Sequence, residues 1–261
     1  MVDSFLEDLQ GMAAMGICYS LNAPLRRAQI LMQSGMQPQL RSIATLKSIV
    51  AGQGFLSLWR GNTPYLLRNV LWDTDVEYPV YDKAGLWRFG GFVLTFLCTY
   101  PLESISVRMA ADLAQPSGSR RFKGIWDCYQ QVEKAIGLRG VYTGFFPRLQ
   151  FYMTSQIIHK ALYEEARGYV PRIQGLDSPL SYGILMFLGS QFGALVSCLC
   201  TYPLYTISTR MITSSMSSPG EYQNSFESYR TILNRDGLRG LYRGLPMFLP
   251  ASIIYGTLLF C

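Results

Sequence analysis

An X-Pro-Leu step within an apolar stretch occurs three times in this chain, and a Gly-bounded octad follows each at a similar distance. The steps are NAPLRRAQILMQ around Pro24, TYPLESISVRM around Pro101 and TYPLYTISTRM around Pro203. The octads are GFLSLWRG (Gly54–Gly61), GLRGVYTG (Gly137–Gly144) and GLRGLYRG (Gly237–Gly244), beginning 30, 36 and 34 residues after the three prolines. Three such pairs in one order define a repeat, and a repeat of this period constrains the whole fold before any local pattern does. Each unit reads as a membrane helix holding a proline, a polar loop, a short amphipathic helix, a Gly-bounded turn and a second membrane helix. The short helices fit LRSIATLKSIVAGQG and FESYRTILNRDG, where apolar residues recur at three- and four-residue spacing and Gly closes the helix. A proline inside a helix removes a backbone hydrogen bond and kinks it. Kinks are therefore expected at Pro24, Pro101 and Pro203, narrowing a central space on one side.

Composition supplies the surroundings. The 261 residues are 49% hydrophobic and only 15% charged, against about 25% charged in a soluble globular chain, and the mean hydropathy is +0.14. That balance leaves too little charged surface for a soluble enzyme of this size and points to a polytopic membrane protein. No clean twenty-residue apolar run exists, as a lone span would need. The apolar segments are broken by Gly, Pro, Ser and Thr, which a bundle tolerates because neighbouring helices satisfy the interrupted backbone. Six spans are expected, at Phe5–Ile30, Thr63–Lys83, Trp87–Met109, Pro147–Ala166, Leu180–Met211 and Pro246–Phe260.

The net charge of +6 is dispersed, with only short basic loops such as SRRFK at Ser119–Lys123. Nucleic acid binding needs clustered Lys and Arg on one face, so none is expected; positive loops flanking spans account for the excess. Six cysteines (Cys18, Cys98, Cys128, Cys198, Cys200 and Cys261) contain no CxxC, and His159 is the single histidine. Reduced thiols and no metal site are expected. The start, MVDSFLEDLQGMAAMG, shows neither a basic n-region nor an Arg-rich transit pattern, so no cleavable address is expected.

These residues resemble the mitochondrial carrier family, and most of all its ADP/ATP carriers. The likeness is carried by the tripled Pro step and aromatic-x-Gly octad, by GFLSLWRGN, by VRMAAD (Val107–Asp112) and by FKGIWDCYQQVEKAIGLRGVYTGF. It covers essentially the whole chain. It implies an all-α membrane protein of six transmembrane helices in three pseudo-symmetric repeats, approximately 1–85, 86–172 and 173–261, forming one domain. The resemblance also implies the inner mitochondrial membrane, termini toward the intermembrane space and short helices on the matrix side.

In that family an acidic residue two after each Pro and a basic residue five after it form a ring of ion pairs closing the matrix side. Such pairs lie in a poorly hydrated constriction, where they hold a gate that substrate binding can still open. Here the acidic positions hold Arg26, Glu103 and Tyr205, and the basic ones Gln29, Ser106 and Ser208. One pair, Arg26 with Glu103, is what remains of that gate. The gate on the cytoplasmic side needs an aromatic-acid-x-x-base step on each even helix. It survives once, at Tyr163, Glu164 and Arg167; at Tyr81-Asp82 the base is replaced by Gly85, and the third copy would fall beyond Cys261.

A nucleotide needs Arg or Lys to offset its phosphates. Arg68 matches the second-helix arginine of ADP/ATP carriers and is the one candidate substrate-binding residue. Its other readings are a bundle-interior residue paired with Asp73, Asp75 or Glu77, or one snorkelling to an interface. Other contact positions have changed: Tyr19 replaces a lysine, Phe151 and Tyr152 a small apolar pair, Ser155 a tyrosine and Ala251 an arginine. The RRRMMM mark of ADP/ATP carriers reads STRMIT at Ser208–Thr213. Rings at Phe151 and Tyr152 are expected to fill space where a ligand would sit. His159 reads as a packed or interfacial residue.

Trp59-Arg60-Gly61, Phe122-Lys123-Gly124 and Tyr242-Arg243-Gly244 match the family's cardiolipin-holding steps, which implies lipid sites at Gly61, Gly124 and Gly244; plain loop-to-helix turns are the other reading. No cofactor other than bound cardiolipin is expected. The segment between the second and third spans is short, with Lys83 running into AGLWRFGG. Two functions remain in view. One is a structural or accessory subunit of an inner-membrane respiratory complex, with transport lost and protein partners gained. The other is a transporter of altered substrate. No nucleophile–base pair supports an enzyme.

Overall fold

In the computed structural model, residues 2–35, 42–72, 85–113, 120–169, 179–216, 222 and 224–260 are described. Among them the chain forms nine α-helices in three like units. Unit one has α1 (Val2–Ser34), α2 (Ser42–Gln53) and α3 (Asn62–Trp72). Unit two has α4 (Gly85–Ala111), α5 (Ile125–Ile136) and α6 (Phe145–Tyr169). Unit three has α7 (Pro179–Ser214), α8 (Ser225–Leu241) and α9 (Leu245–Phe260).

α1, α4, α6, α7 and α9 fall on five of the six expected spans, and α3 on the described part, Thr63–Trp72, of the remaining one. They close into a ring because the last helix of each unit (the even-numbered spans two, four and six) packs on the first helix of the next (the odd-numbered spans): α3 on α4, α6 on α7 and α9 back on α1. The proline-bearing helices α1, α4 and α7 also touch one another pairwise, so the centre of the ring narrows where Pro24, Pro101 and Pro203 lie within them. Two stretches among the described residues, Phe89–Ala111 and Ser181–Ser214, are long and apolar enough to cross a membrane by composition alone. The other spans carry buried polar side chains: Asn22, Arg27 and Gln29 on α1, Arg68 and Asn69 on α3, Arg148 on α6. Those residues lower the apparent hydropathy without facing lipid. Apolar side chains such as Ile17, Leu94, Leu97, Phe192 and Ile253 are exposed instead, as a lipid-facing surface requires. Residues 73–84, which hold the end of the second expected span, the Tyr81-Asp82 step and the short connection to α4, lie outside the described residues.

Close helix contact is set by small residues. On α7, a Cβ at Gly189 would come 3.3 Å from Ala166 and one at Gly193 would come 3.2 Å from the His159 ring. This small-x-x-x-small spacing lets α6 lie tightly along α7. His159 is a packed residue there, its Nε2 3.3 Å from the carbonyl oxygen of Ser190.

Each interior proline leaves the carbonyl four residues earlier without its helical donor. In units one and three the aromatic residue of the octad supplies one. Trp59 Nε1 donates to Ser20 O at 2.8 Å, and Tyr242 OH donates to Leu199 O at 3.3 Å. In unit two Tyr142 instead stacks on Tyr100, centroids 6.1 Å apart. The short helices dock in a matching register. Thr45 and Ile49 on α2, Cys128 and Val132 on α5, and Ser228 and Ile232 on α8 are the buried i, i+4 pairs. Each pair sits over a small apolar cluster of its own unit.

The Gly-bounded turns then bring each even helix against the next odd one. Gly61, Gly144 and Gly244 have φ of +82°, +77° and +85°, the left-handed region open to glycine. A Cβ at these positions would lie 2.6 Å from Ser106 O, 2.8 Å from Ser208 O and 2.9 Å from Gln29 O. The first residues of α3, α6 and α9 carry Pro64, Pro147 and Pro246, where the missing N–H costs no helical bond.

Candidate functional site: the central constriction

The six gate positions of the odd helices meet where α1, α4 and α7 converge. Those five residues after each proline are Gln29, Ser106 and Ser208, and they are the residues against which the three turn glycines close. Ser106 Oγ donates to Gly61 O at 2.6 Å and Ser208 Oγ donates to Gly144 O at 2.8 Å. In the third place Gln29 Nε2 donates to Tyr202 OH at 3.4 Å, and Tyr202 OH donates to Arg243 O at 3.0 Å. Where the family resemblance calls for bases, this chain has short polar side chains tied to backbone of the neighbouring unit.

The positions two after each proline form a second layer of cation and ring contacts. Arg26 lies over the Tyr65 ring at 3.7 Å and donates from Nη1 to Ser106 Oγ at 3.0 Å. Tyr205 lies under Arg148, 3.8 Å from guanidinium carbon to ring centroid, with the Phe151 ring 5.0 Å away. Glu103 is buried between two arginines, 3.4 Å from Arg68 Nη2 and 3.4 Å from Arg148 Nε, and accepts from Tyr152 OH at 3.3 Å. Arg68 also lies over Tyr152 at 5.1 Å. A charged group with so little water access needs a counter-charge and hydrogen bonds to persist, and one carboxylate serves two guanidinium groups here.

Several expectations are corrected by this geometry. Arg26 and Glu103 do not pair: Arg26 is engaged by Tyr65 and Ser106, and Glu103 by Arg68 and Arg148. Arg68 faces the bundle interior and meets Glu103; Asp73, Asp75 and Glu77 lie outside the described residues. At the far end of α6, Glu164 and Arg167 are both exposed, with no ion pair to either among the described residues, while the Tyr163 ring packs 6.5 Å from His159. The structural counterpart of Gly61 and Gly244 is Gly144. Gly124 instead precedes α5 with extended backbone, φ −170°. Arg60 of the first lipid step is turned inward, paired with Asp112 and donating to Met109 O at 3.1 Å and Phe122 O at 2.7 Å.

The sequence reading missed Arg148, which is fully buried and touches Glu103, Tyr205 and, at 3.1 Å, Thr209 Oγ1. The signal was present: a charge inside an otherwise apolar span, the same that singled out Arg68. As expected, rings fill this space: Phe151 is packed between Tyr152, at 5.3 Å, and Tyr205, and Tyr19 packs edge-on to Tyr65 at 5.3 Å.

A six-helix ring of three like units, narrowed by three proline-bearing helices over a layer of short docked helices, is the architecture of a three-repeat membrane carrier. The profile of the family described as "Mitochondrial carrier protein" matches residues 3–87, 77–173 and 181–261, and the chain belongs to the mitochondrial carrier family. It is 26% identical over 270 residues to the bovine (Bos taurus) "ADP/ATP translocase 4", covering 92% of this chain and 82% of that protein. With the human (Homo sapiens) "ADP/ATP translocase 3" it is 26% identical over 272 residues, covering 92% and 90%. Its likeness is thus to translocases of ADP and ATP, at low identity.

Proposed function

We propose that this chain is an inner-mitochondrial-membrane protein that keeps the carrier fold, has lost adenine-nucleotide exchange, and serves as an accessory subunit of a respiratory complex. The observation that carries this reading is the make of the constriction. A gate of exchangeable ion pairs needs three acids facing three bases; here Ser106 and Ser208 are bonded to backbone of the neighbouring unit, and the one carboxylate, Glu103, is held by Arg68 and Arg148. The serine contacts are uncharged and have no ion pair to switch to, so they favour one state of the bundle. Helices that need not slide tolerate loss of the gate charges, and exposed apolar side chains provide surface for a membrane partner. Backbone N–H groups near Gly61, Gly124 and Gly244 would hold cardiolipin phosphates at helix starts.

The test is the company the protein keeps. Solubilised in mild detergent, it is expected to run on native gels within a large assembly, and liposomes containing the purified chain are expected to exchange no ADP or ATP. Migration alone together with nucleotide exchange would overturn the proposal. A second reading, transport of a smaller anion, is favoured by one specific feature: three arginines, Arg26, Arg68 and Arg148, line the constriction around Glu103. Uptake of phosphate or a small carboxylate by those liposomes, lost in Arg68→Gln, would establish it.

A further inference from the structure

The three octads begin alike, yet their arginine partners differ. In unit three, buried Arg210 on α7 meets Asp236 at 2.7 Å and donates to Gly240 O at 3.5 Å. In unit one, Arg27 on α1 takes the corresponding place, donating to Ser57 O and, at 2.6 Å, to Gln53 Oε1. In unit two, Arg108 on α4 donates to Gly140 O at 2.8 Å, to Ser215 Oγ at 3.1 Å and to Ser104 Oγ. The residue corresponding to Asp236 and Gln53 is Ile136: it packs beneath Gly140 as Asp236 packs beneath Gly240. Arg108 is therefore a guanidinium only 3% exposed with no carboxylate against it among the described residues. Its Nε has no hydrogen-bond partner among the described residues.

Arg108 also lines a cleft of about 210 Å³ between the ends of α4 and α7 and the segment leading into α5, with Asp112, Arg121, Phe122, Thr213 and Met216 around it. Asp112, the one carboxylate of this lining, is already held by Arg60 and by the backbone N–H of Phe122 at 3.2 Å. Arg121 is exposed at the rim, with Arg120 and Lys123 exposed beside it. A buried guanidinium with no counter-charge is costly to keep. The cleft is below the size that encloses a nucleotide-sized ligand, and guanidinium groups bind phosphate oxygens by charged hydrogen bonds.

We propose that this cleft is an anion site for one phosphate group, free inorganic phosphate or the headgroup of a phospholipid, bound between Arg108 and Arg121. Several cations at one rim favour a group that carries more than one charge over a lone carboxylate. The site lies apart from the Arg68–Glu103–Arg148 cluster and does not depend on whether the chain transports anything.

The experiment uses the full chain in nanodiscs of phosphatidylcholine, with inorganic phosphate as probe, and in parallel nanodiscs doped with phosphatidic acid. Saturable phosphate binding with a rise in Tm of about 3 °C or more in the neutral discs identifies free phosphate. The same rise only in the doped discs identifies the lipid headgroup. Ile136→Asp places a carboxylate where Asp236 stands in unit three; it is expected to raise Tm without ligand and to weaken binding at least tenfold. Arg121→Gln, an exposed change that leaves the core intact, is expected to weaken binding without altering the ligand-free Tm. No effect of either anion, or an effect abolished by Arg68→Gln and untouched by Ile136→Asp and Arg121→Gln, overturns the proposal.

Discussion

Trp59 Nε1 donates to the carbonyl of Ser20 at 2.8 Å, the carbonyl that Pro24 leaves without a helical donor. One residue thus satisfies the break in α1 and ties the turn before α3 to it. Trp59→Phe keeps most of the ring and removes the donor, and about 1–2 kcal/mol of stability should be lost. Tyr242→Phe should lose less, its bond to Leu199 O being 3.3 Å. Thermal unfolding of the purified chain in detergent measures both; equal stability of wild type and Trp59→Phe would remove the bond from the account.

Ser208 and Gly144 form the tightest join between units two and three. Gly144→Ala would put a Cβ 2.8 Å from Ser208 O at a φ of +77°, so strain and crowding combine to a loss on the order of 3 kcal/mol. Gly124→Ala, with extended backbone and open space around it, should be near neutral. The comparison of the two Tm values tests whether close approach, rather than glycine itself, is what matters.

Glu103 is the carboxylate that Arg68 and Arg148 both face, and Glu103→Gln removes its charge from between them. A loss of about 3–5 kcal/mol is expected. Adding Arg148→Met should recover part of it, because one uncompensated charge is then removed. A double-mutant cycle reads the coupling; additive losses would show that Glu103 and Arg148 do not act together.

Cys128 lies on the buried face of α5, and that burial pushes its thiol up to about 12 despite nearby Arg108. Thiolate is the reactive form, so Cys128 should resist maleimide at pH 7 in the native protein and react once the chain is unfolded. Peptide mass spectrometry after brief labelling distinguishes the two.

The carboxylate of Asp127, in the first turn of α5, accepts from the backbone N–H of Lys123 at 2.8 Å and from Gln131 Nε2 at 3.0 Å. These bonds, the backbone one first, hold its pKa below the ordinary 3.8. A lowered folded pKa means its contribution is complete above the ordinary carboxylate range and is lost as pH falls through the folded value. Asp127→Asn should therefore separate from wild type in Tm near neutral pH and converge with it as pH falls below the lowered folded value.

What the sequence determined by itself was the architecture. Three Pro steps, three octads and a deficit of charge dictate three helix pairs in a membrane, because period and composition act locally and are written in order along the chain. The altered gate was legible too: Arg26, Glu103 and Tyr205, then Gln29, Ser106 and Ser208, can be read off beside each proline. Their partners could not be. Arg26 was expected to meet Glu103, since the two stand at equivalent positions with opposite charge; the even helices decided otherwise, bringing Tyr65 to Arg26 and Arg148 to Glu103. Which residue of a second helix faces a given residue of the first depends on helix rotation and on how closely the glycine turns let them approach. The apolar residue at the place opposite Arg108 has the same origin. Ile136 is an ordinary apolar residue in sequence, and it acquires meaning only when the fold sets it where Asp236 stands in the next unit.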